Sequence, residues 1–311
     1  MRSGPSVAAT LPTLRVIERG WLSSNSVIFL DDDEQASVVD TGYSSHREQT
    51  LALVLSQIDD RRLTRIVNTH LHSDHCGGNA LLAKRTGASV WIPPGLSDAV
   101  ASWDEDRLAF RATGQQCDRF RHDAVIKPGA TLRLGERDWN VLAAPGHDPH
   151  SVILWNAGDR VLISADALWQ HGFGAIFPEI EGESGFAEQG AMLDLITSLG
   201  PQLVIPGHGS PFTDVAAALL RARKRLAALA ADPARNARQV AKVLIKFYLL
   251  DARSLPFDRL VRHLAGARYF AVINDRYFRI PLEELIARSV RELVAVGAAD
   301  WHDGIVSNRD T

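Results

Sequence analysis

The stretch "VNTHLHSDHCGGN", residues 67–79, places three histidines and an aspartate within six positions. His70, His72, Asp74 and His75 are all metal-binding side-chain types. They follow the apolar run "LTRIV" and precede Gly77-Gly78, so the stretch reads as a buried strand that opens into a turn. Three later segments end in the same way: "AAPGH" with His147, "LISAD" with Asp166 and "VIPGH" with His208. Five histidines and two aspartates then stand at strand ends or in the loops after them. Seven such ligands suit two metal ions better than one. Neutral imidazoles and carboxylates favour zinc, with iron or manganese next, over copper(I) or calcium. Two adjacent sites bridged by one carboxylate and one hydroxide are the arrangement expected of a two-metal hydrolase.

Around these segments, short apolar β-type runs alternate with helical ones from Leu14 to about Gly207. "SVIFL" and "ASVVD", joined by the acidic turn "DDDEQ", predict a hairpin. Residues 47–58 carry apolar side chains at helical spacing, and "GGNALLAKRTG" predicts a helix capped by Gly87. Residues 97–123 are polar and poorly periodic, and read as an irregular or helical insertion. After Thr213 the pattern becomes helical. One helix is expected to stop at Asp232-Pro233, and the next to start from a capping box of Asn236 and Gln239. Two more follow, and Asp303-Gly304 signals a closing hairpin. Two domains are therefore expected, at residues 14–213 and 214–311.

The bulk numbers fit an ordinary globular protein: 311 residues, 46% hydrophobic and 23% charged, with a formal net charge of -3. That charge is uneven. Residues 221–311 hold 17 Lys/Arg against 10 Asp/Glu, and residues 1–220 hold 17 against 27. The basic part could face an anionic substrate or nucleic acid, or simply dock on the acidic part. Two cysteines imply no disulfide framework. The first residues lack a signal-peptide apolar region, and no apolar run approaches the ~18 residues of a membrane span. A cytoplasmic protein with no membrane partner is expected.

On these motifs the chain resembles the metallo-β-lactamase superfamily of αββα hydrolases. His70 to His75 match its H-x-H-x-D-H signature, and His147, Asp166 and His208 match the three later ligand motifs in order. Asp40 in "VVDTG" matches its early acidic motif. The resemblance covers roughly residues 14–213 and implies an α/β fold, an αββα sandwich, followed here by a mostly helical and winged-helix-like C-terminal domain. It also implies a ligand assignment. His70, His72 and His147 would hold one metal, Asp74, His75 and His208 the other, with Asp166 bridging. Asp74 would in addition orient the hydroxide and pass a proton to the leaving group.

The weaker candidates carry two readings each. Asp40 is either a turn residue or the partner that orients a metal-bound histidine. Cys76 reads as small packing beside the glycine turn, and His150 as a loop hydrogen-bonder or a substrate contact. Residues 168–185 either wall a pocket with Trp169, His171, Phe173 and Phe177 or merely connect two elements. His46, His122, His263 and His302 have no motif around them.

Departures from named branches narrow the function. Asp at 166 is similar to glyoxalase II, lactonases and the ribonucleases, and differs from zinc lactamases that place Cys there. His72 stands where the diiron flavoproteins carry Glu. Leu71 replaces a further histidine usual in glyoxalase II, and Arg221, Arg223, Lys224 and Arg225 are the candidates for its cationic thiol-carrier contacts. The leading expectation is a dinuclear hydrolase of a small ester or thioester, acting on a small-molecule substrate. A lactonase or a metal-dependent endoribonuclease, with nucleic acid as the partner, comes second, and a β-lactamase further behind. The sequence leaves the oligomeric state open.

Overall fold

The computed structural model describes residues 11–309; the expectation of no leader falls on residues 1–10, outside them. Two sheets form first. The N-terminal one has the order β1 (Leu14–Ile17), β2 (Ser26–Leu30), β3 (Gln35–Val39), β4 (Arg62–Val67), β5 (Ser89–Ile92), β6 (Ala124–Val125). It is antiparallel from β1 to β3 and parallel from β3 to β6. Helix α1 (Arg47–Gln57), a single turn α2 (Ser73–Cys76) and α3 (Asn79–Thr86) supply its crossovers. The second sheet runs β11 (Leu203–Pro206), β10 (Val161–Ala165), β9 (Val152–Asn156), β8 (Arg137–Ala143), β7 (Thr131–Leu134). It is covered by α4 (Phe186–Leu199) and α5 (Val215–Ala231).

Period-two alternation explains the layering. On β2, Val27 and Phe29 point into the core between the sheets, where Phe29 meets Trp139 edge to face at 5.3 Å. Ile28 and Leu30 point the other way, onto α1 with Leu51, Val54 and Ile58. On the second sheet Ile163 and Ile205 face inward, while Leu162 and Val204 face Met192, Ile196 and Leu219 of the covering helices. Each sheet is thus apolar on both faces, which forces the four-layer αββα order that the sequence predicts.

Beyond α5 the chain runs through α6 (Pro233–Ala252), β12 (Ser254–Pro256), α7 (Phe257–Ala265), α8 (Arg268–Ile273), α9 (Leu282–Ala295), β13 (Ala299–His302) and β14 (Ile305–Asn308). Its core joins Leu244, Ile245, Phe270, Ile286 and Val306, and also takes in Ala175 and Ile180 from the loop after β10. The terminal hairpin forms at Asp303-Gly304, with β14 between β12 and β13. One expectation needs correction. Asn236 is not a cap: α6 starts a turn earlier at Pro233, and buried Asn236 donates instead to the Ile176 carbonyl at 2.8 Å. Proline at the first helical position outweighed the capping-box signal, because its missing N–H costs nothing there. Helix α4 was not anticipated at all. Among the described residues no helix is long and apolar enough to cross a membrane.

Candidate metal centre

Every expected ligand sits just beyond the C-terminal end of a strand, where the two sheets open at one edge. β4 delivers His70; His72 precedes α2, which carries Asp74 and His75. β8 leads to His147, β10 to Asp166 and β11 to His208. Three groups come together, with ligand atoms within 4.8 Å of one another: His70, His72 and His147; His70, His75 and Asp166; Asp74, His75 and His208. Asp166 lies between them. Its Oδ2 is 3.4 Å from His147 Nε2, and its Oδ1 is 3.4 Å from His75 Nε2 and 4.0 Å from His208 Nε2.

The outer nitrogens explain which atoms face inward. His75 Nδ1 donates to Asp40 Oδ2 at 2.8 Å, and His147 Nδ1 donates to the Ala175 carbonyl. His70 Nδ1 lies 3.1 Å from Thr69 Oγ1, which itself donates to Asp40 at 2.7 Å. These bonds turn Nε2 of all three rings toward the centre, as is usual for ligating histidine. His72 is turned the other way, its Nδ1 lying 3.1 Å from His70 Nε2 and 2.8 Å from His147 Nε2. Three ring nitrogens converging at that spacing need a proton or a cation between them. His75 Nε2 faces the centre, is buried and lacks any hydrogen-bond partner. The donor set fits divalent metal ions on these grounds.

Burial, then the charges around it, drives His147 down to about 4 and His70 well below its ordinary value, so both are neutral ligands at neutral pH. Burial pushes the Asp166 carboxyl up, but the positive field of His75 and His208 outweighs it and holds the group well below the carboxylate range.

Local backbone aims the carboxylates. A register shift between Ile163 and Ala165 bulges β10, with Ala165 at φ 46°, and turns Asp166 toward the histidines. Gly207 is required opposite: a Cβ there would meet Asp166 Oδ1 at 2.3 Å. Asp40 holds φ 59° and binds both the Thr69 amide (2.9 Å) and His75, which favours the orienting role over a plain turn. Asp40→Ala is expected to weaken metal binding about 10- to 100-fold while the fold survives; a chelator titration reads this, and an unchanged affinity would reduce Asp40 to a turn residue.

The pocket over the ligands is walled by Trp21, Trp169, Phe173 and Phe177. His171, expected beside them, is exposed and lies outside it. Trp169 Nε1 donates to Asp166 Oδ1 at 3.2 Å. Sequence reasoning missed the roof. Gln239, Val243 and Phe247, one face of α6 at four-residue spacing, close the pocket from above. Of the basic cluster, Arg225 reaches the pocket, donating to the Phe173 carbonyl at 2.7 Å, whereas Arg223 turns away to Asp194 at 2.7 Å. Cys76 packs in the core beneath the site, as read, but with Cys117 Sγ 3.8 Å away, which no local pattern signalled. His150 lines a neighbouring cleft of about 500 Å³ that meets the pocket at His72, His147 and Phe177. His46 pairs with Ser23 and His263 stacks on Tyr248, both away from the ligands.

Fold and ligand geometry define a class, and comparison with known proteins agrees. Residues 19–208 match the Metallo-beta-lactamase superfamily. Hydroxyacylglutathione hydrolase GloC of Haemophilus influenzae is 26% identical over 217 residues, 63% of this chain and 91% of that protein. An acyl-coenzyme A thioesterase of Bos taurus is 25% identical over 217 residues, 63% of this chain and 77% of that protein. The crystal structure of a beta-lactamase domain protein from Burkholderia ambifaria superposes with TM-score 0.57 over 96% of this chain and 93% of that one, at 21% identity, a likeness of fold. The chain belongs to the metallo-beta-lactamase superfamily and is an enzyme of its hydrolase type.

Proposed function

We propose that the protein is a dinuclear metal-dependent hydrolase of acyl thioesters. The carrying observation is the position of Asp166, with one oxygen toward the His70–His72–His147 side and the other toward His75 and His208. His70, His72 and His147 would hold one metal and Asp74, His75 and His208 the second, with Asp166 shared between the two groups. Zinc suits the nitrogen-rich donor set, with iron or manganese as the alternatives. When bound, divalent cations supply Lewis acidity, lowering the pKa of water to about 7 and drawing charge from an acyl oxygen.

The chain's own groups do the rest. Asp74 Oδ2 faces His208 Nε2 at 3.1 Å, leaving Oδ1 to accept a proton from the attacking water and return it to the leaving sulfur. Trp21, Trp169 and Phe177 exclude bulk water and present apolar faces to an acyl group. Residues 14–213 supply the ligands, and residues 214–311 supply the roof through Gln239, Val243 and Phe247. The thioester reading is supported by the names of both relatives above. Turnover of S-lactoylglutathione and of butyryl-coenzyme A by metal-replete protein, with a chelated blank, tests it. Chelator-sensitive hydrolysis of either is expected; hydrolysis of neither by protein that carries its metals refutes the thioester reading.

A further inference from the structure

Helices α5 and α6, joined through Asp232 alone, enclose a groove of about 510 Å³ between them. Arg221, Lys224 and Arg225 line it from one side, and Arg235, Arg238 and Lys242 from the other. On each helix the lining residues follow i, i+3, i+4, i+7 spacing: 221, 224, 225 and 228 on α5, and 235, 238, 239 and 242 on α6. Two complementary stripes therefore face one space, and no acidic residue lines it. Like charges at this spacing disfavour a helix, so the pattern opposes folding and calls for an anion to offset it.

Little in the chain neutralises the groove. Arg238 pairs with Asp232 at 3.2 Å and Lys242 with Glu292 at 2.8 Å. Arg221 and Arg225 donate to backbone carbonyls of Gln170 and Phe173, which carry no charge. Lys224 and Arg235 are exposed and make no ion pair among the described residues. The neighbouring spaces differ. The cleft beyond His72 carries Asp106, Asp148, Glu181 and Glu183 against two arginines. The space beside Trp21 has cations too, but Lys246 is bound by Ala298, Asn308 and Arg309, and Arg19 by Thr50 and Gln49.

The groove adjoins the metal pocket: Arg225 and Gln239 line both. A substrate with its reacting bond at the metals can leave past these two side chains and enter the stripe.

We propose that this groove is a phosphate-binding site for the phosphorylated end of a thiol carrier, so that the preferred thioesters are those of a nucleotide-bearing thiol. Four unneutralised cations suit a carrier with several phosphates, each able to take charge-assisted bonds from arginine. A peptide thiol offers only carboxylates offset by an ammonium. This assignment rests on the thioester reading above. The acyl group then occupies the aromatic pocket, and after hydrolysis the freed thiol leaves together with its carrier.

The test compares butyryl-coenzyme A with butyryl-pantetheine, which shares the arm and lacks the nucleotide phosphates. Metal-replete protein is expected to show a ratio of kcat/KM at least about tenfold in favour of the phosphorylated substrate. Lys224→Ala combined with Arg235→Ala should collapse that ratio through KM, and alanine preserves both helices. Adenosine 3′,5′-bisphosphate, titrated by calorimetry, should bind the wild-type holoenzyme one to one and the double variant at least about tenfold more weakly. Hydrolysis of both thioesters at equal efficiency, with no bisphosphate binding, overturns the groove assignment and leaves the thioesterase standing. Hydrolysis of neither, with bisphosphate bound, overturns the thioester reading and the carrier with it. A short RNA bound more tightly than the bisphosphate and cleaved by the holoenzyme would also overturn the carrier, in favour of nucleic acid.

Discussion

Asp166→Ala is expected to lose both metals and to lower kcat/KM on a thioester by at least about 10³-fold. Asp166 is 5% exposed and has histidine nitrogens 3.4 Å from each of its carboxylate oxygens. Removing it leaves two cations with no shared anion between them, at a spacing where their mutual repulsion is large in a dry pocket. The fold should survive, because Trp169, which donates to the carboxylate, lies only three residues on in the same loop. Circular dichroism and metal analysis on the same sample separate the effects. A folded variant that keeps two metals and most of its activity would remove the bridge from the account.

Metal removal is the second large effect. Chelation of the wild-type protein should abolish hydrolysis and lower Tm by on the order of 10 °C, since a ligand at ~1,000 times its Kd adds about 4 kcal/mol to a native state. The cause is visible in the imidazoles. His72 Nδ1 lies 2.8 Å from His147 Nε2 and 3.1 Å from His70 Nε2, while the outer nitrogens of His147 and His70 are taken by Ala175 and Thr69. Without a cation a single proton on His72 Nδ1 serves only one of these two Nε2 atoms well, and burial holds His147 and His70 neutral. Activity and Tm should return together on adding zinc, iron(II) or manganese, the most effective ion identifying the preferred metal. A Tm indifferent to chelator would mean the ligands are held by the fold alone.

What the sequence made legible was local. The strand ends carrying His70, His147, Asp166 and His208 could be read because an apolar run, a turn and a ligand lie within a few residues of each other. The four-layer order followed from the family resemblance that these motifs carry, and wholly apolar strands such as Val27 to Leu30 agree with sheets buried on both faces. Features built across the chain were not. Val243 and Phe247 look like ordinary apolar positions of an amphipathic helix until α6 is laid over the metal pocket. Arg225 and Arg223 are indistinguishable in sequence, and only the helical phase of α5 sends one to Phe173 and the other to Asp194. Asn236 misled because its side chain answers a carbonyl 60 positions away rather than its own helix. Helix α4 escaped notice because apolar residues surround more than one face of "FAEQGAMLDLITSL", which blurs the period.

A two-metal hydrolase needs both ions for turnover, and titrating metal into stripped protein tests this most directly. Bound metal per chain and the initial rate on a thioester are followed in the same samples. Activity that reaches its full value only as the second equivalent binds is the predicted result. Full activity at one equivalent, or binding that saturates at one, would contradict it.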